Sequence, residues 1–285
     1  MTLTTQTEPT YLMGGTTAET ERLIRQGRFL NPLTRHLLTE AGLTAGMRVL
    51  DLGSGAGDVA LLAAELVGPT GWVTGVDRNA EVLAVARARA AAAGLTAVSF
   101  VADDLRAFEP DEPVDAIVGR LVLMYLPEPA AVLRRLAGWL RPGGVVAIQE
   151  YNFSAASLQW YPAMPTWQRF WDWMQTTAAQ TGMELLMGYR LAAAFQAAGL
   201  PTPQLRLESP MIAGDDPAGY AWAADSLRSM LPLTLRFGIA TAEEVDIETL
   251  AERLRAETVA HGGVVKTPDL VGAWARLSGA RDSAV

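Results

Sequence analysis

Apolar residues between positions 47 and 152 come in short blocks of two alternating kinds. Residues 47–51, 72–76, 98–102, 114–119 and 144–151 are compact runs rich in Val, Ile and Leu. That is the composition of strands buried on both faces. Between them, residues 57–67, 79–93 and 128–140 carry apolar positions at helical spacing. Arg141-Pro142-Gly143-Gly144 reads as a stop and turn before the last strand. Strand–helix alternation of this kind predicts an α/β fold with a parallel sheet covered by helices. In such sheets a ligand sits beyond the carboxyl ends of the strands, where strand order reverses.

The flanks follow other patterns. Residues 1–9 are polar and Thr-rich. Residues 18–43 place Leu23, Phe29, Leu30, Leu33, Leu37 and Leu38 at roughly helical spacing, with a new helix expected to open at Pro32. After residue 152, positions 165–180 put Trp167, Phe170, Trp171 and Met174 on one helical face. Residues 189–198, 217–237 and 245–260 read as helices and 203–211 as a strand. Residues 264–266 open a short strand that 268–277 is expected to continue. The reading gives an N-terminal helical lid (1–46), a cofactor-binding core (47–152) and a C-terminal part (153–285). That last part holds the remaining sheet strands and an inserted helical cap.

Composition narrows the chemistry. Half of the 285 residues are hydrophobic and 19% are charged, which suits a folded chain with a sizeable core. The net charge of −8 disfavours nucleic acid and anionic membranes as partners. There is no cysteine, so disulfides, thiolate metal sites and cysteine nucleophiles are ruled out. With His36 and His261 the only histidines, a histidine-built metal site is not expected. No apolar run reaches the ~18 residues of a membrane span, and no signal peptide is read. A cytoplasmic protein is the expectation.

The densest chemistry lies in Val49-Leu50-Asp51-Leu52-Gly53-Ser54-Gly55-Ala56-Gly57-Asp58. A strand ends in an acid, three glycines alternate, and a helix begins. Glycines allow a sharp turn and close ligand approach, and the helix start offers free N–H groups. A dinucleotide fingerprint, Gly-x-Gly-x-x-Gly, would need glycine where Asp58 stands. A carboxylate there is unfavourable beside a pyrophosphate. That argues against an NAD(P)-dependent oxidoreductase. Asp77 and Asp103 end the next two strands. Asp77 can accept from ribose hydroxyls with either cofactor; Asp103 can accept from an adenine amino group, with Leu105 beside the ring, or can cap a helix. A nucleoside with a cationic tail and no phosphate fits three such acids, and S-adenosylmethionine (SAM) is one.

These segments resemble the class I SAM-dependent methyltransferases, nearest to the ubiquinone and menaquinone C-methyltransferase branch and many natural-product methyltransferases. The matching stretches are 49–58, 73–78, 100–105, 114–129 and 140–150. The resemblance implies a Rossmann-like seven-stranded sheet with one antiparallel strand. It implies that Asp51, Gly53, Ser54 and Gly55 hold the methionine part of SAM and that Asp77 holds the ribose. Arg78 then packs by the adenine, Asp103 and Asp104 lie at its edge, and Arg120 and Leu121 line the pocket floor. Tyr11-Leu12-Met13-Gly14 resembles a motif whose aromatic closes over the cofactor. Relatives often carry His-His-Leu-Pro where this chain has Met124-Tyr125-Leu126-Pro127, so no histidine base carries over.

The expected reaction is in-line methyl transfer to a hydrophobic or aromatic small molecule of secondary metabolism. A protein of this fold that binds SAM without transferring methyl would look the same in sequence. Candidates for a base are Glu150, Tyr151, Tyr125, His36, Tyr11 and His261, each with a structural role as rival. For the acceptor, Tyr11, Tyr125, Tyr151, Phe153, Trp160, Trp167, Phe170, Trp171 and Met174 form an unusually aromatic set. Such a face suits a pocket wall, ordinary core, or a homodimer interface.

Overall fold

The computed structural model describes residues 17–278, with side chains from residue 29 onward; Tyr11 lies outside the described residues. The chain runs α1 (Thr17–Glu40), β1 (Arg48–Leu52), α2 (Asp58–Val67), β2 (Trp72–Asp77), α3 (Ala80–Ala92), β3 (Val98–Ala102), β4 (Val114–Arg120), α4 (Pro129–Ala137) and β5 (Leu140–Asn152). It continues through β6 (Gln159–Tyr161), α5 (Pro165–Gln180), α6 (Met187–Ala198), β7 (Gln204–Glu208), β8 (Met211–Ala213), α7 (Pro217–Arg236), α8 (Ala242–Val245), α9 (Leu250–Ala260), β9 (Val264–Lys266) and β10 (Asp269–Arg276).

Seven strands form one sheet in the order β3-β2-β1-β4-β5-β10-β7. The first five pair in parallel and β10 runs antiparallel to both neighbours. This is the Rossmann-like architecture the sequence resembles. Strand order reverses at β1, which lies between β2 and β4, so the crevice for a ligand opens beyond Leu52. Three short strands form a second sheet, β6-β9-β8, and α5, α7 and α9 pack on one another in the cap, with Gly219 of α7 close against Ile212 of β8.

Several boundaries differ from expectation, and the causes are local. Pro32 sits inside a continuous α1 and opens no new helix. Its neighbours Asn31 and Thr34 accept hydrogen bonds from the Arg120 guanidinium (3.1 and 2.8 Å). Tertiary bonds thus hold the helix across the missing N–H. Residues 203–211 divide at Pro210 into β7 of the large sheet and β8 of the small one, and 264–277 divide at Pro268 into β9 and β10. Proline interrupts a ladder in both cases. Thr267 stitches the two crossings, its N–H (3.0 Å) and Oγ1 (2.9 Å) both donating to the Pro210 carbonyl. Arg141–Gly144 falls within β5, with Gly143 at φ 79° and a register shift against β4. It is a bulge within the strand, where a stop and turn before the strand was expected. Asp246 at φ 40° ends α8 and separates it from α9.

The cap core is aromatic. Trp167, Phe170 and Trp171 are all fully buried. Phe170 meets Trp171 edge-on at 4.6 Å, and Phe29 of α1 stacks on Trp222 of α7 at 5.1 Å. Among the described residues no helix is long and apolar enough to cross a membrane. No group of three His, Cys, Asp or Glu there could hold a metal ion.

Helix α6 crosses the back of β5 at Gly188, where an added Cβ would meet the Glu150 carbonyl at 2.9 Å and the Asn152 nitrogen at 3.0 Å. Backbone cannot give way as a side chain does. Gly188→Ala is therefore expected to lower unfolding free energy by about 2 kcal/mol, measured from denaturant midpoints. An unchanged midpoint would show that α6 can slide on the sheet.

Candidate active site

The glycine loop follows β1. Gly53, Gly55 and Gly57 take φ values of 62°, 50° and 87°, the left-handed region that side chains avoid. A Cβ on Gly53 would also lie 2.6 Å from Val122 Cγ2. The end of β2 holds this loop in shape: Asp77 Oδ2 accepts the Gly55 N–H and Oδ1 accepts the Asn79 N–H, both at 2.9 Å. Asn79 in turn caps α3. Asp77 is thus a bracket between loop and strand as well as an acid at the cleft. Asp58, first residue of α2, pairs with Arg89 at 2.8 Å. Gly27 of α1 comes so close that an added Cβ would fall 2.3 Å from Asp58 Oδ1.

Behind the loop lie buried charges. Asp51 is 1% exposed, and neither of its oxygens completes a hydrogen bond among the described residues. Burial pushes its carboxyl well above the usual range, against the pull of the Arg120 charge and the Ala60 amide. Ser54 Oγ is likewise buried without a partner there. Arg120 is buried as well and lies 3.9 Å from Asp58. Burial lowers its guanidinium while Asp58 opposes that shift. Thr34 links it onward to Gln149 at 2.7 Å. A second buried acid, Glu150, accepts the Val122 and Leu123 N–H groups at 2.9 and 2.6 Å through Oε1. Burial raises its carboxyl to about 7, the amides of Leu123, Val122 and Met124 opposing. Glu150 thereby fixes the turn after β4, where Leu121 sits at φ 54°, a strained value for a branched residue.

Two cavities open around that turn. The first, about 780 Å³ including its mouth, is lined by Gly53, Asp77, Arg78, Asn79, Asp104, Leu105, Arg106, Leu121, Val122 and residues 125–127. The second, about 550 Å³ including its mouth, is lined by Leu121, Met124, Tyr125, Tyr151, Phe153, Trp171, Met174, Met183, Trp222, Ser226, Ser229 and Met230. Leu121 and Tyr125 border both.

The sequence candidates divide among these places. Asp77, Arg78, Asp104, Leu105 and Leu121 line the first cavity, and Asp51, Ser54 and Arg120 are buried behind it. Asp103 is exposed and caps its neighbour, Oδ1 accepting the Asp104 N–H at 2.7 Å. Asp104 is clasped by Arg106, which holds its carboxyl down at about 2. Tyr125, Tyr151, Phe153, Trp171 and Met174 line the second cavity; Trp167 and Phe170 are core behind it. Trp160 borders a surface groove on the small sheet. His36 is exposed, 3.1 Å from Glu208, and His261 caps α9 through the Glu257 carbonyl at 2.8 Å. Glu150 borders neither cavity.

Sequence reasoning missed Trp222, Ser226, Ser229 and Met230. They fall at intervals of four, seven and eight from the first, one face of α7. Two serines interrupt its apolar signal. The link from Arg120 to Asn31 and Thr34 spans more than eighty residues and left no local trace.

A cofactor with an α-ammonium, ribose hydroxyls and no phosphate suits this arrangement. Among the described residues neither the Asp51 carboxyl nor the Ser54 hydroxyl completes a hydrogen bond, and the glycine loop admits close approach. A phosphate would face Asp58 and Asp77 instead.

The model of the family described as a methyltransferase domain matches residues 43–193, more than half of the chain. A trans-aconitate 2-methyltransferase of Azoarcus sp. (strain BH72) is 42% identical over 115 residues, covering 40% of this chain and 43% of that protein. An arsenite methyltransferase of Aquipseudomonas alcaligenes is 42% identical over 115 residues, covering 38% of this chain and 33% of its own. The chain spans less than half the length of these curated relatives. A solved phosphoethanolamine N-methyltransferase 2 of Haemonchus contortus was determined with phosphomonomethylethanolamine and S-adenosylhomocysteine. It matches with TM-score 0.54 at 17% identity, over 87% of this chain and 52% of that one, a likeness of fold.

The Glu150 environment has a measurable consequence. Its folded value, about 7, exceeds the ordinary 4.5, so the folded state retains a proton that the unfolded chain has released. Stability from neutral Glu150 is full below about pH 4.5 and is lost as pH rises through about 7. Relative to Glu150→Gln, the wild type should lose about 3 kcal/mol of unfolding free energy across that window. Parallel stability curves for the two proteins would show that Glu150 titrates normally.

Proposed function

The chain belongs to the methyltransferase-domain family, and on that premise we propose that it is a SAM-dependent methyltransferase acting on a hydrophobic small molecule. The observation that carries this reading is the meeting of the two cavities at Leu121 and Tyr125. One cavity has Gly53 and the acids Asp77 and Asp104, as suits a nucleoside site; the other is walled largely by aromatic and methionine side chains. SAM supplies a methyl group already activated on a sulfonium, so the protein's task is chiefly to align and to exclude water.

Residues 47–152 hold the cofactor, residues 1–46 cover it, and the cap in 153–285 shapes the acceptor site. Asp51 meets the cofactor's ammonium, with Ser54 and the Gly53 and Gly55 backbone beside it. Asp77 accepts from the ribose. Leu105 flanks the adenine and Asp104 lies at its edge. Arg120 braces α1 against the end of β4. Where the acceptor must lose a proton, Tyr125 and Tyr151 border the chamber, whereas His36 is held at the surface by Glu208. The reading extends to the ubiquinone and menaquinone C-methyltransferase branch and to natural-product chemistry.

The acceptors named for the relatives fit this chamber poorly. Trans-aconitate is a tricarboxylate, and no charged side chain borders the chamber among the described residues. Arsenite is thiophilic, and the chain has no thiol.

The test is incubation with methyl-labelled SAM and a metabolite extract of the source organism, read by mass spectrometry. A labelled apolar product is expected, together with S-adenosylhomocysteine. Bound SAM with no labelled product would favour the protein that uses SAM without transferring its methyl.

A further inference from the structure

The chamber has an unusual polar inventory. Trp171 and Trp222 are 1% and 5% exposed, both border it, and neither indole N–H has an acceptor among the described residues. Both rings are fixed in place. Trp171 lies edge-on to Phe153 (5.9 Å) and Phe170 (4.6 Å), and Trp222 stacks on Phe29. The two serines are committed differently: Ser226 Oγ donates to the Trp222 carbonyl and Ser229 Oγ to the Ser226 carbonyl, each at 2.8 Å. Their protons are used, so toward the chamber they offer lone pairs. The remaining lining is apolar apart from the tyrosine hydroxyls, and methionines 124, 174, 183 and 230 give it adaptable shape.

A buried N–H without an acceptor is costly, and packing alone does not call for two beside one cavity when phenylalanine would fill the same space. We propose that the chamber selects an uncharged acceptor molecule whose carbonyl-type oxygen is held by the indole N–H groups of Trp171 and Trp222. The inference rests on the chamber being the acceptor site. A carboxylate has no counter-charge there to offset its desolvation. A hydrocarbon of the same shape leaves both donors unpaired. Ser226 and Ser229 can accept a hydrogen bond from a hydroxyl or amide N–H of the same molecule. The two tryptophans are thus specificity-determining residues, with no part in the bond changes.

Three probes of one size separate these cases: 2-acetylnaphthalene, 2-isopropenylnaphthalene and 2-naphthoate, titrated by ligand-observed NMR into protein loaded with S-adenosylhomocysteine. The ketone is expected to bind about 10-fold more tightly than the alkene or the carboxylate. Trp171→Phe and Trp222→Phe should each shrink the ketone-to-alkene ratio toward one while alkene affinity holds. Retained alkene binding shows that the chamber is intact in the variants. A ratio near one in the wild type, a ratio unmoved by both substitutions, a preference for the carboxylate, or binding of none of the three would overturn the proposal. Binding of S-adenosylhomocysteine, followed by calorimetry on the same samples, tests the methyltransferase reading separately. If it binds and the ketone preference is absent, only the acceptor inference fails. If it does not bind and the preference persists in protein alone, the donor pair stands and the cofactor reading falls.

Discussion

A carboxylate enclosed by protein with no completed hydrogen bond is costly to keep charged, yet Asp51, next to the last residue of β1, is in that condition among the described residues. Much of the surrounding architecture bears on it. The buried Arg120 offsets part of its charge and is itself held by Asn31 and Thr34 of α1. Asp58 steadies Arg120 from the far side and is approached closely by Gly27 of the same helix. The loop above is braced by Asp77. Among the described residues the result is a site short of one cation, with the backbone around it already shaped. Such preorganisation spares a ligand the cost of ordering the protein.

The turn after β4 converts this nucleoside site into a site for chemistry on a second molecule. Leu121 and Tyr125 belong to both cavities, and Glu150 pins the amides between them. That pin explains why an acid borders neither cavity and is nevertheless buried at the heart of the domain. The cap closes the other side with α5 and α7. It divides its aromatics between core, as with Trp167 and Phe170, and chamber wall, as with Trp171.

The parallel core was legible because each strand is a short apolar block and each helix has its own period; β1 to β5 lie close to where the sequence puts them. The glycine loop and the acids at 51 and 77 were legible because their spacing is local. Contacts distant in sequence were not. Nothing near Arg120 points to Thr34, and nothing near Glu150 points to the amides of Val122 and Leu123. Proline inside strand-like runs was misjudged twice: at Pro210 and Pro268 it marks passage from one sheet to another. At Pro32 tertiary hydrogen bonds override the usual helix boundary. Asp103 reads in sequence like a twin of Asp77. It lies at the edge strand, though, where β3 has one neighbour and water reaches the side chain.

The most direct test of the central claim, that Asp51 is the counter-charge for a cofactor ammonium, is a two-by-two calorimetric comparison. Wild type and Asp51→Asn are each titrated with S-adenosylhomocysteine and with its analogue lacking the α-amino group. The account expects wild type to favour the amine by about 10-fold or more and the variant to lose that preference, since removing either partner deletes the same interaction. An equal preference in both proteins would contradict it and leave the buried charge of Asp51 without this role.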